Sequence, residues 1–365
     1  RQDYNNTLLV ETENFGFYIL EDDKLARWEA PINDIISNYN VYRSLRLNDQ
    51  SFILGTTSNG ILHISLDGKL KSHINRTHGL SNNTIHSVFE DTEGNIWLAL
   101  NNGINCINFN SLFSLYKDDK GLLGTVHASA VFNNNLYLGT NQGLFYRPIN
   151  TQVEFKFIEG TQGAVWCLTQ IGDTLFCGHN SGTFIVSNDK AIQILDILGT
   201  WNIKAINNNE DKLLQGNYDG LYVLEKVDNN WVFKNKLEGF NFSSRFFEIH
   251  EGNEILVSHE YRGLFNLKVD SGFTKVLEVK KIKTANKGKE LYSSLTRYKN
   301  ELLFSSKNGV FIKGKQSKQF IKDSLLSTLF SKEEYTSGKL VFNEETNTLW
   351  GFSENNLNYI SPGKL

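Results

Sequence analysis

Residues 85–109 read IHSVFEDTEGNIWLALNNGINCINF, and this stretch decides the fold. Apolar and polar residues alternate in three short runs, Ile85–Phe89, Asn95–Leu100 and Ile104–Phe109. A period of two is typical of half-buried β-strands, and the Asp, Asn and Gly residues between the runs are typical of tight turns. With a fourth strand expected at Leu112–Tyr116, the stretch predicts a small four-stranded antiparallel sheet.

The same phrase recurs along the whole chain as an apolar pair, a few small or polar residues, a marker Gly and alternating apolar residues. The marker positions are 16, 60, 103, 143, 182, 220, 263, 309 and, with Asn in place of Gly, 356. Successive markers lie 38 to 47 residues apart, which is the length that four short strands and their turns fill. No convincing window has the period of a helical repeat. The sequence therefore predicts an all-β fold, a β-propeller with four-stranded antiparallel blades, seven or eight in number.

The repeats also predict the domain organisation. We interpret residues 1–365 as one propeller domain with seven full units and two end pieces. Residues 1–30 would supply late strands of a blade and residues 334–365 early strands, so the two ends could close the ring together. The alternative is a segment of two consecutive propellers. Each marker Gly follows a tight turn, where we expect a positive φ or a close backbone approach to the neighbouring blade.

Composition excludes several classes of function. The formal net charge is -3, from 37 basic and 40 acidic residues, so the chain lacks the basic field that a nucleic-acid-binding domain needs. No apolar stretch approaches the roughly 20 residues of a membrane helix. The chain begins at Arg1 without a signal sequence, and we expect it to be a piece of a longer protein.

The three cysteines do not form a dense disulfide framework. Cys167 and Cys177 flank the predicted turn at residues 170–173 and could face each other across a hairpin. A cross-strand disulfide is one alternative, and two buried free thiols are the alternative that we favour.

One blade resembles a known family. Its marks are GLSNNTI at residues 79–85, Glu90-Asp91, GNIW at residues 94–97 and NNGI at residues 101–104. Together they resemble the two-component regulator propeller repeat of Bacteroidetes signalling proteins over a full blade. The other blades resemble it more loosely, and residues 290–360 are degenerate.

This resemblance implies an extracytoplasmic, periplasmic sensor within a larger membrane-anchored protein. In that family a triple-tyrosine β-sandwich and a membrane helix usually follow the propeller, and the output is a histidine kinase or a LuxR-like helix-turn-helix. The chain most resembles the flavobacterial triple-tyrosine transcriptional regulators. Relatives on the kinase side commonly respond to oligosaccharides, so the resemblance implies an oligosaccharide or another small ligand, and a homodimer through the full-length protein.

In a propeller, the loops between blades gather on one face, which is the default binding site. Aromatic faces with amide and guanidinium donors suit a sugar. The candidate ligand-binding residues are Trp166, His179, Trp201, Asn202, Asn217, Tyr218, Arg245, His259 and Tyr261. The same strand starts also place His86, His127 and Phe246 on this face. The competing interpretation is that Trp166 and Trp201 simply pack between blades.

Enzymatic functions find little support. The phrase DTEGNIW at residues 91–97 is similar to a sialidase Asp-box, but its Asp-to-Gly spacing is one residue too long, and we assign Asp91, Gly94 and Trp97 to structure. Glu90 and Glu248 have no evident carboxylate partner, as glycosidases require. His179 and His259 lack further ligands at metal-binding spacing. We therefore expect no catalytic residues, no metal and no cofactor.

Two alternatives remain. One is a scaffold that mediates dimerisation or docks a partner protein. The other, less favoured, is a propeller lyase or hydrolase that uses His179 and His259.

Overall fold

The structure is a computed structural model. It describes residues 2–4, 7–12, 15–111, 113, 116–118, 120–149, 151, 153–207, 209–250, 253–282, 291–313 and 319–361. The chain divides into two compact units, Arg1–Leu122 and Leu123–Leu365. In the described residues no helix is long and apolar enough to cross a membrane.

The described part of the first unit contains three antiparallel sheets. The first comprises β1 (Gln2–Tyr4), β2 (Thr7–Thr12), β3 (Gly16–Glu21) and β4 (Lys24–Arg27). The second comprises β5 (Val41–Arg46), β6 (Phe52–Thr56), β7 (Ile61–Ile64) and β8 (Leu70–Ile74). The third comprises β9 (Ile85–Glu90), β10 (Ile96–Leu100) and β11 (Gly103–Ile107). Helical segments in this unit are short: α1 (Ile32–Ile35) and the 3-10 turns Ile36–Asn38 and Arg76–His78.

Six sheets make up the described part of the second unit. The first comprises β12 (Val126–Phe132), β13 (Asn135–Thr140), β14 (Leu144–Pro148) and β15 (Lys156–Phe157). The second comprises β16 (Val165–Ile171), β17 (Thr174–His179), β18 (Gly182–Ser187) and β19 (Lys190–Leu195). The third comprises β20 (Asn202–Ile206), β21 (Asn209–Asn217), β22 (Gly220–Val227) and β23 (Asn230–Lys236). The fourth comprises β24 (Phe246–His250), β25 (Glu254–His259), β26 (Gly263–Val269) and β27 (Val276–Ile282). The fifth comprises β28 (Ser294–Tyr298), β29 (Glu301–Ser306), β30 (Gly309–Lys313) and β31 (Phe320–Asp323). The sixth comprises β32 (Leu340–Asn343), β33 (Thr348–Phe352) and β34 (Leu357–Ile360). A 3-10 turn spans Leu326–Leu329.

The predicted all-β architecture is confirmed. Strands within each sheet are hydrogen-bonded in chain order and run antiparallel, as in propeller blades. The described residues form nine sheets, seven with four strands and two with three, which equals the number of full units and end pieces counted from the repeat. One expectation needs correction: residues 2–27 form a four-stranded sheet by themselves, whereas we expected only the late strands of one. The fourth strand expected at residues 112–116 falls largely outside the described residues.

The marker glycines adopt the backbone conformation expected of them. All eight have positive φ, from +79° at Gly60 to +147° at Gly182. A Cβ atom added to Gly60 would lie 2.1 Å from the backbone oxygen of Ile74, and one added to Gly182 would lie 2.1 Å from that of Leu195. These oxygens belong to the fourth strand of the same sheet rather than to a neighbouring blade, so the marker Gly allows the outer strand to close over the turn.

Apolar side chains between successive sheets form the core of the second unit. One cluster joins Tyr137 and Leu144 of the first sheet to Val165 and Leu175 of the next, all fully buried. The first strands of successive sheets contact each other from β12 through β32. The approach is close, because a Cβ atom added to Gly216 of β21 would lie 2.0 Å from the backbone oxygen of Ser244, just before β24. Packing of this kind fixes where each first strand begins.

The cysteines are free thiols, as we favoured. The idea that Cys167 and Cys177 face each other is wrong, because Cys177 pairs with Leu168 and Cys167 pairs with Gly178. The turn sets this register, because Ile171 pairs with Thr174 and the pairing continues without a shift as far as Cys167, so each partner lies one position later than the pairing of the two cysteines would require.

Candidate functional site

The candidate site lies in the second unit, at the start of the first strand of each sheet. Near that start, one residue pairs with a small residue of the second strand: Gly139, Gly178, Gly216, Ser258, Ser305 or Gly351. The residue immediately before the paired one therefore occupies an equivalent position in all six sheets. We call these six residues the first-strand row: His127, Trp166, Trp201, Arg245, Ser293 and Lys339.

Backbone irregularity separates row residues from the regular strand pairing. The register shifts between Val126 and Ala128 and again between Val165 and Cys167, which leaves His127 and Trp166 as the extra, unpaired residues of β-bulges. Trp201, Arg245 and Lys339 lie just before β20, β24 and β32. Bulges and strand ends re-aim side chains that a regular ladder would point across the sheet.

The aromatic members of the row contact each other. The ring centroids of His127 and Trp166 lie 5.0 Å apart, and those of Trp166 and Trp201 lie 4.6 Å apart at an interplanar angle of 39°. Trp166 Nε1 donates a hydrogen bond to Tyr218 Oη at 3.0 Å, and Trp201 Nε1 donates one to Ser243 Oγ at 3.1 Å. The Tyr218 ring also lies 5.1 Å from that of Trp201. Four predicted residues are thus brought together in one aromatic group.

Arg245 extends this group with a cation. Its guanidinium carbon lies 4.9 Å from the centroid of the Trp201 ring and 5.1 Å from that of Phe246. Glu260 Oε1 lies 3.6 Å from Arg245 Nη1, and the arginine side chain keeps 47% of its surface exposed. A guanidinium stacked on an indole retains N–H donors at its edge, which suits recognition of hydroxyl or acidic groups.

Electrostatics connect the row from its first member to its last. The pKa of His127 lies below its ordinary value, because of burial first and then the positive charges of Arg245 and Lys339. The pKa of Lys339 is also lowered, by loss of hydration and by the charge of Arg245. His127 in β12 is therefore within electrostatic reach of Arg245 and Lys339, which lie just before β24 and β32.

Two predicted residues have structural roles instead. His179 is 1% exposed, its Nδ1 bonds to Ser181 Oγ at 2.7 Å and its Nε2 faces the Thr161 backbone oxygen at 3.3 Å. Asn217 is fully buried and donates to the backbone oxygen of Leu198 at 3.0 Å. Because their polar atoms are occupied within the fold, the structure offers neither side chain to a ligand.

The other predicted residues lie beside the row or outside it. His259 is half-buried and its Nδ1 accepts a hydrogen bond from the Tyr261 backbone N–H at 3.2 Å, while the Tyr261 side chain is exposed. Glu260, between them in sequence, is the residue that pairs with Arg245. His86 belongs to the first unit, where its Nε2 bonds to Asn101 Oδ1.

Asn202 is half-buried and helps to line a cavity of about 940 Å³ along the first strands of the second unit. Glu248, for which the sequence shows no carboxylate partner, is 5% exposed in this wall and pairs with two cations, Lys204 at 2.8 Å and Arg297 at 3.7 Å. These partners come from neighbouring sheets, so no local motif revealed them. Among the described residues, no group of three or more His, Cys, Asp or Glu side chains is placed to hold a metal ion.

Sequence reasoning missed Ser243, Glu260 and Lys339. Lys339 could have been found from the repeat. It precedes the residue that pairs with Gly351, just as Trp166 precedes the residue that pairs with Gly178. The last repeat is degenerate, which hid this equivalence. Ser243 and Glu260 carry no repeat signal.

Comparison with protein families identifies the best-preserved blade. The family model described as "Two component regulator propeller" matches residues 79–102. The chain carries a two component regulator propeller repeat. In that repeat the Asp91 carboxylate accepts hydrogen bonds from Trp97 Nε1 at 2.8 Å and from the Asn95 backbone N–H at 2.9 Å, which confirms the structural role predicted for these residues.

Solved structures with a similar fold include the extracellular domain of the protein BT4673 from B. thetaiotaomicron, described as a one component system. Identity is 15% over 99% of this chain and 53% of that chain, with a TM-score of 0.51. A second structure of the BT4673 extracellular domain, described as a hybrid two component system, has 14% identity over 97% of this chain and 56% of that chain, with a TM-score of 0.45. The corresponding domain of BT3049, from the same organism, has 16% identity over 99% and 56%, with a TM-score of 0.38.

The chain thus spans about half the length of these structures. At 15% identity the first likeness shows a shared fold, and with the two component regulator propeller repeat it confirms the predicted β-propeller. No curated protein matches the chain in sequence.

Proposed function

We propose that this chain is the extracytoplasmic ligand-binding propeller of a membrane-anchored transcriptional regulator, and that it senses an oligosaccharide on the first-strand row. The observation that carries the proposal is the aromatic group of Trp166, Trp201 and Tyr218 with Arg245 stacked on one end. A pyranose ring has an apolar face that stacks on an indole and hydroxyl edges that need hydrogen-bond partners. Indole faces, a phenol and a guanidinium supply both kinds of contact.

Two further observations support a sensor role. The family model that matches residues 79–102 is that of the two component regulator propeller, and the structure of similar fold with a TM-score of 0.51 is the extracellular domain of a one component system. A sensor needs binding without turnover, and the aromatic group holds no pair of carboxylates facing each other. For binding to become a signal, the ligand must prefer one arrangement of the full-length protein.

The test is calorimetric binding of a diverse oligosaccharide panel to the purified chain and to Trp166→Ala and Arg245→Ala. We expect a specific ligand whose affinity falls at least about tenfold in either variant. Trp350→Ala is the matched control, because the Trp350 ring packs against that of Tyr359 in the last sheet, outside the row, and its removal should leave affinity unchanged. Absence of binding across the panel would overturn the oligosaccharide proposal and favour a partner-protein or scaffold role.

A further inference from the structure

The charge around the first-strand row is unbalanced, and this observation bears on the class of ligand. Arg245 and Lys339 occupy equivalent positions in two different sheets, and Glu260 is the carboxylate paired with Arg245. Among the described residues, no carboxylate oxygen lies within 4.0 Å of Lys339 Nζ. Within this described part of the chain, the positive charge of Lys339 therefore has no ion-pair partner.

The backbone holds Lys339 in place. The backbone oxygen of Gly338 accepts a hydrogen bond from Ser294 Oγ at 2.6 Å and another from Ser305 Oγ, and the Gly338 N–H donates to the Tyr292 backbone oxygen at 2.7 Å. The two serine side chains are buried. Buried hydrogen bonds from the neighbouring sheet thus fix the backbone immediately before Lys339. Lys339 is therefore held at a defined place and does not belong to a loose loop.

Arg245 and Lys339 both interact electrostatically with His127, whose ring belongs to the aromatic group. Arg245 and Lys339 each lower the pKa of His127, and Arg245 lowers that of Lys339. Cationic side chains brought together away from full hydration repel each other, and a bound anion would offset that cost. An anion placed here would lie beside the rings of His127, Trp166 and Trp201.

We infer that the row binds an acidic oligosaccharide, with a sugar ring against Trp166 and Trp201 and a carboxylate or sulfate group between Arg245 and Lys339. This inference rests on the proposed function and narrows it. A neutral glycan would satisfy the indole faces but would leave the two cations uncompensated. An acidic sugar satisfies both, because charge-assisted hydrogen bonds from guanidinium and ammonium groups are the stronger class.

The experiment compares matched pairs of ligands: oligogalacturonate against neutral galacto-oligosaccharide, and a sulfated oligosaccharide against its desulfated form. Binding to the whole chain is measured by calorimetry at low and at physiological salt. We expect at least one acidic member to bind about tenfold or more tightly than its neutral counterpart, with weaker binding at higher salt.

Variants then assign the effect to the row. Lys339→Gln should lower affinity for the acidic member about tenfold and change affinity for any neutral member less than about twofold. Lys190→Gln, at the exposed start of β19, is the matched control and should change neither. Circular dichroism and thermal melting of each variant confirm that it is folded.

The possible failures are distinguishable. If neutral members bind as tightly as acidic ones, or if Lys339→Gln weakens both equally, the acidic specificity is overturned and the sensing of a glycan survives. If no member of either pair binds while another oligosaccharide of the panel does, the acidic specificity alone is overturned, and a blank across the whole panel overturns the proposed function as well.

Discussion

The indole rings of Trp166 and Trp201 lie 4.6 Å apart between centroids, on the first strands of neighbouring sheets. Each indole N–H already donates to a hydroxyl, of Tyr218 and Ser243 respectively. Both rings are half-buried, so part of each ring surface remains open to solvent. Because both indole N–H groups are engaged, the exposed remainder of the two rings is apolar carbon, which is the kind of surface that packs against a sugar ring. The packing between blades that we considered as a competing interpretation thus coexists with an accessible aromatic surface.

Tyr218→Phe should loosen the Trp166 side chain. The substitution removes the acceptor of a 3.0 Å hydrogen bond and keeps the aromatic ring beside Trp201. Because Tyr218 is 40% exposed, we expect a loss of only about 0.5–1 kcal/mol in the free energy of unfolding. Urea denaturation monitored by tryptophan fluorescence measures it.

The control for this prediction is Tyr359→Phe, in an exposed tyrosine of the last sheet. It should leave both the stability and the near-UV circular dichroism of the protein unchanged. Equal effects of the two substitutions would contradict a specific role for the Trp166–Tyr218 hydrogen bond.

The repeat made much of this site predictable and also set the limit of prediction. His127, Trp166, Trp201 and Arg245 stand at equivalent places in well-preserved copies, so counting along each copy locates them. Lys339 stands at the same place in a copy whose third and fourth strands have lost the pattern. Periodicity locates a residue within a blade, but it does not reveal whether the side chain meets solvent.

His179 illustrates that second limit. Its position in the repeat suggested an exposed turn, but Ser181 and the Thr161 backbone occupy its ring nitrogens and burial follows. Such partners depend on the three-dimensional path of neighbouring strands. The ion pairs of Glu248 were unpredictable for the same reason, because Lys204 and Arg297 come from different sheets.

Glu248→Ala should destabilise the second unit. The carboxylate is 5% exposed and joins Lys204 and Arg297, which are 29% and 42% exposed. Removing it leaves two cations facing each other along the cavity wall. Because these partners retain some hydration, we expect a cost of about 1–3 kcal/mol, below the value for a fully buried pair.

Thermal and urea denaturation of Glu248→Ala check this value. Lys280→Ala is the comparison, because it breaks the exposed pair with Glu278, whose side chains are 57% and 48% exposed. Exposed pairs contribute about 0–1 kcal/mol, so this variant should remain close to the parent protein. Equal stability of Glu248→Ala and the parent protein would show that the buried carboxylate is dispensable.

The Asp91 carboxyl should titrate with a pKa of about 2. Hydrogen bonds from Trp97 Nε1 first, and then from Asn95, stabilise its ionised form. Trp97→Phe removes the first of these donors, so we expect the pKa of Asp91 to rise toward the ordinary value near 3.9. Carbon-13 NMR of the side-chain carboxyl measures the pKa, and Asp67 serves as the internal control. Its pKa is also about 2, but Lys69 and Ser65 are the cause, so the Trp97 substitution should not move it.

We expect protonation of His63 to lower the free energy of unfolding in mild acid. The side chain is 6% exposed, its Nε2 bonds to Ser51 Oγ at 2.8 Å and its ring lies 4.3 Å from that of Phe109. Burial, with a smaller contribution from Lys71, lowers the pKa of His63 from 6.5 to about 4, against an opposing effect of Asp49. The unfolded chain therefore binds the proton first as the pH falls. The stabilisation is complete above pH 6.5, declines between pH 6.5 and 4, and does not change further below that range. We expect this group to account for about 2–3 kcal/mol of that decline. Urea denaturation at pH 7, 5 and 4 should show a steeper loss in the parent protein than in His63→Gln, which cannot titrate, and parallel losses in the two proteins would refute the assignment.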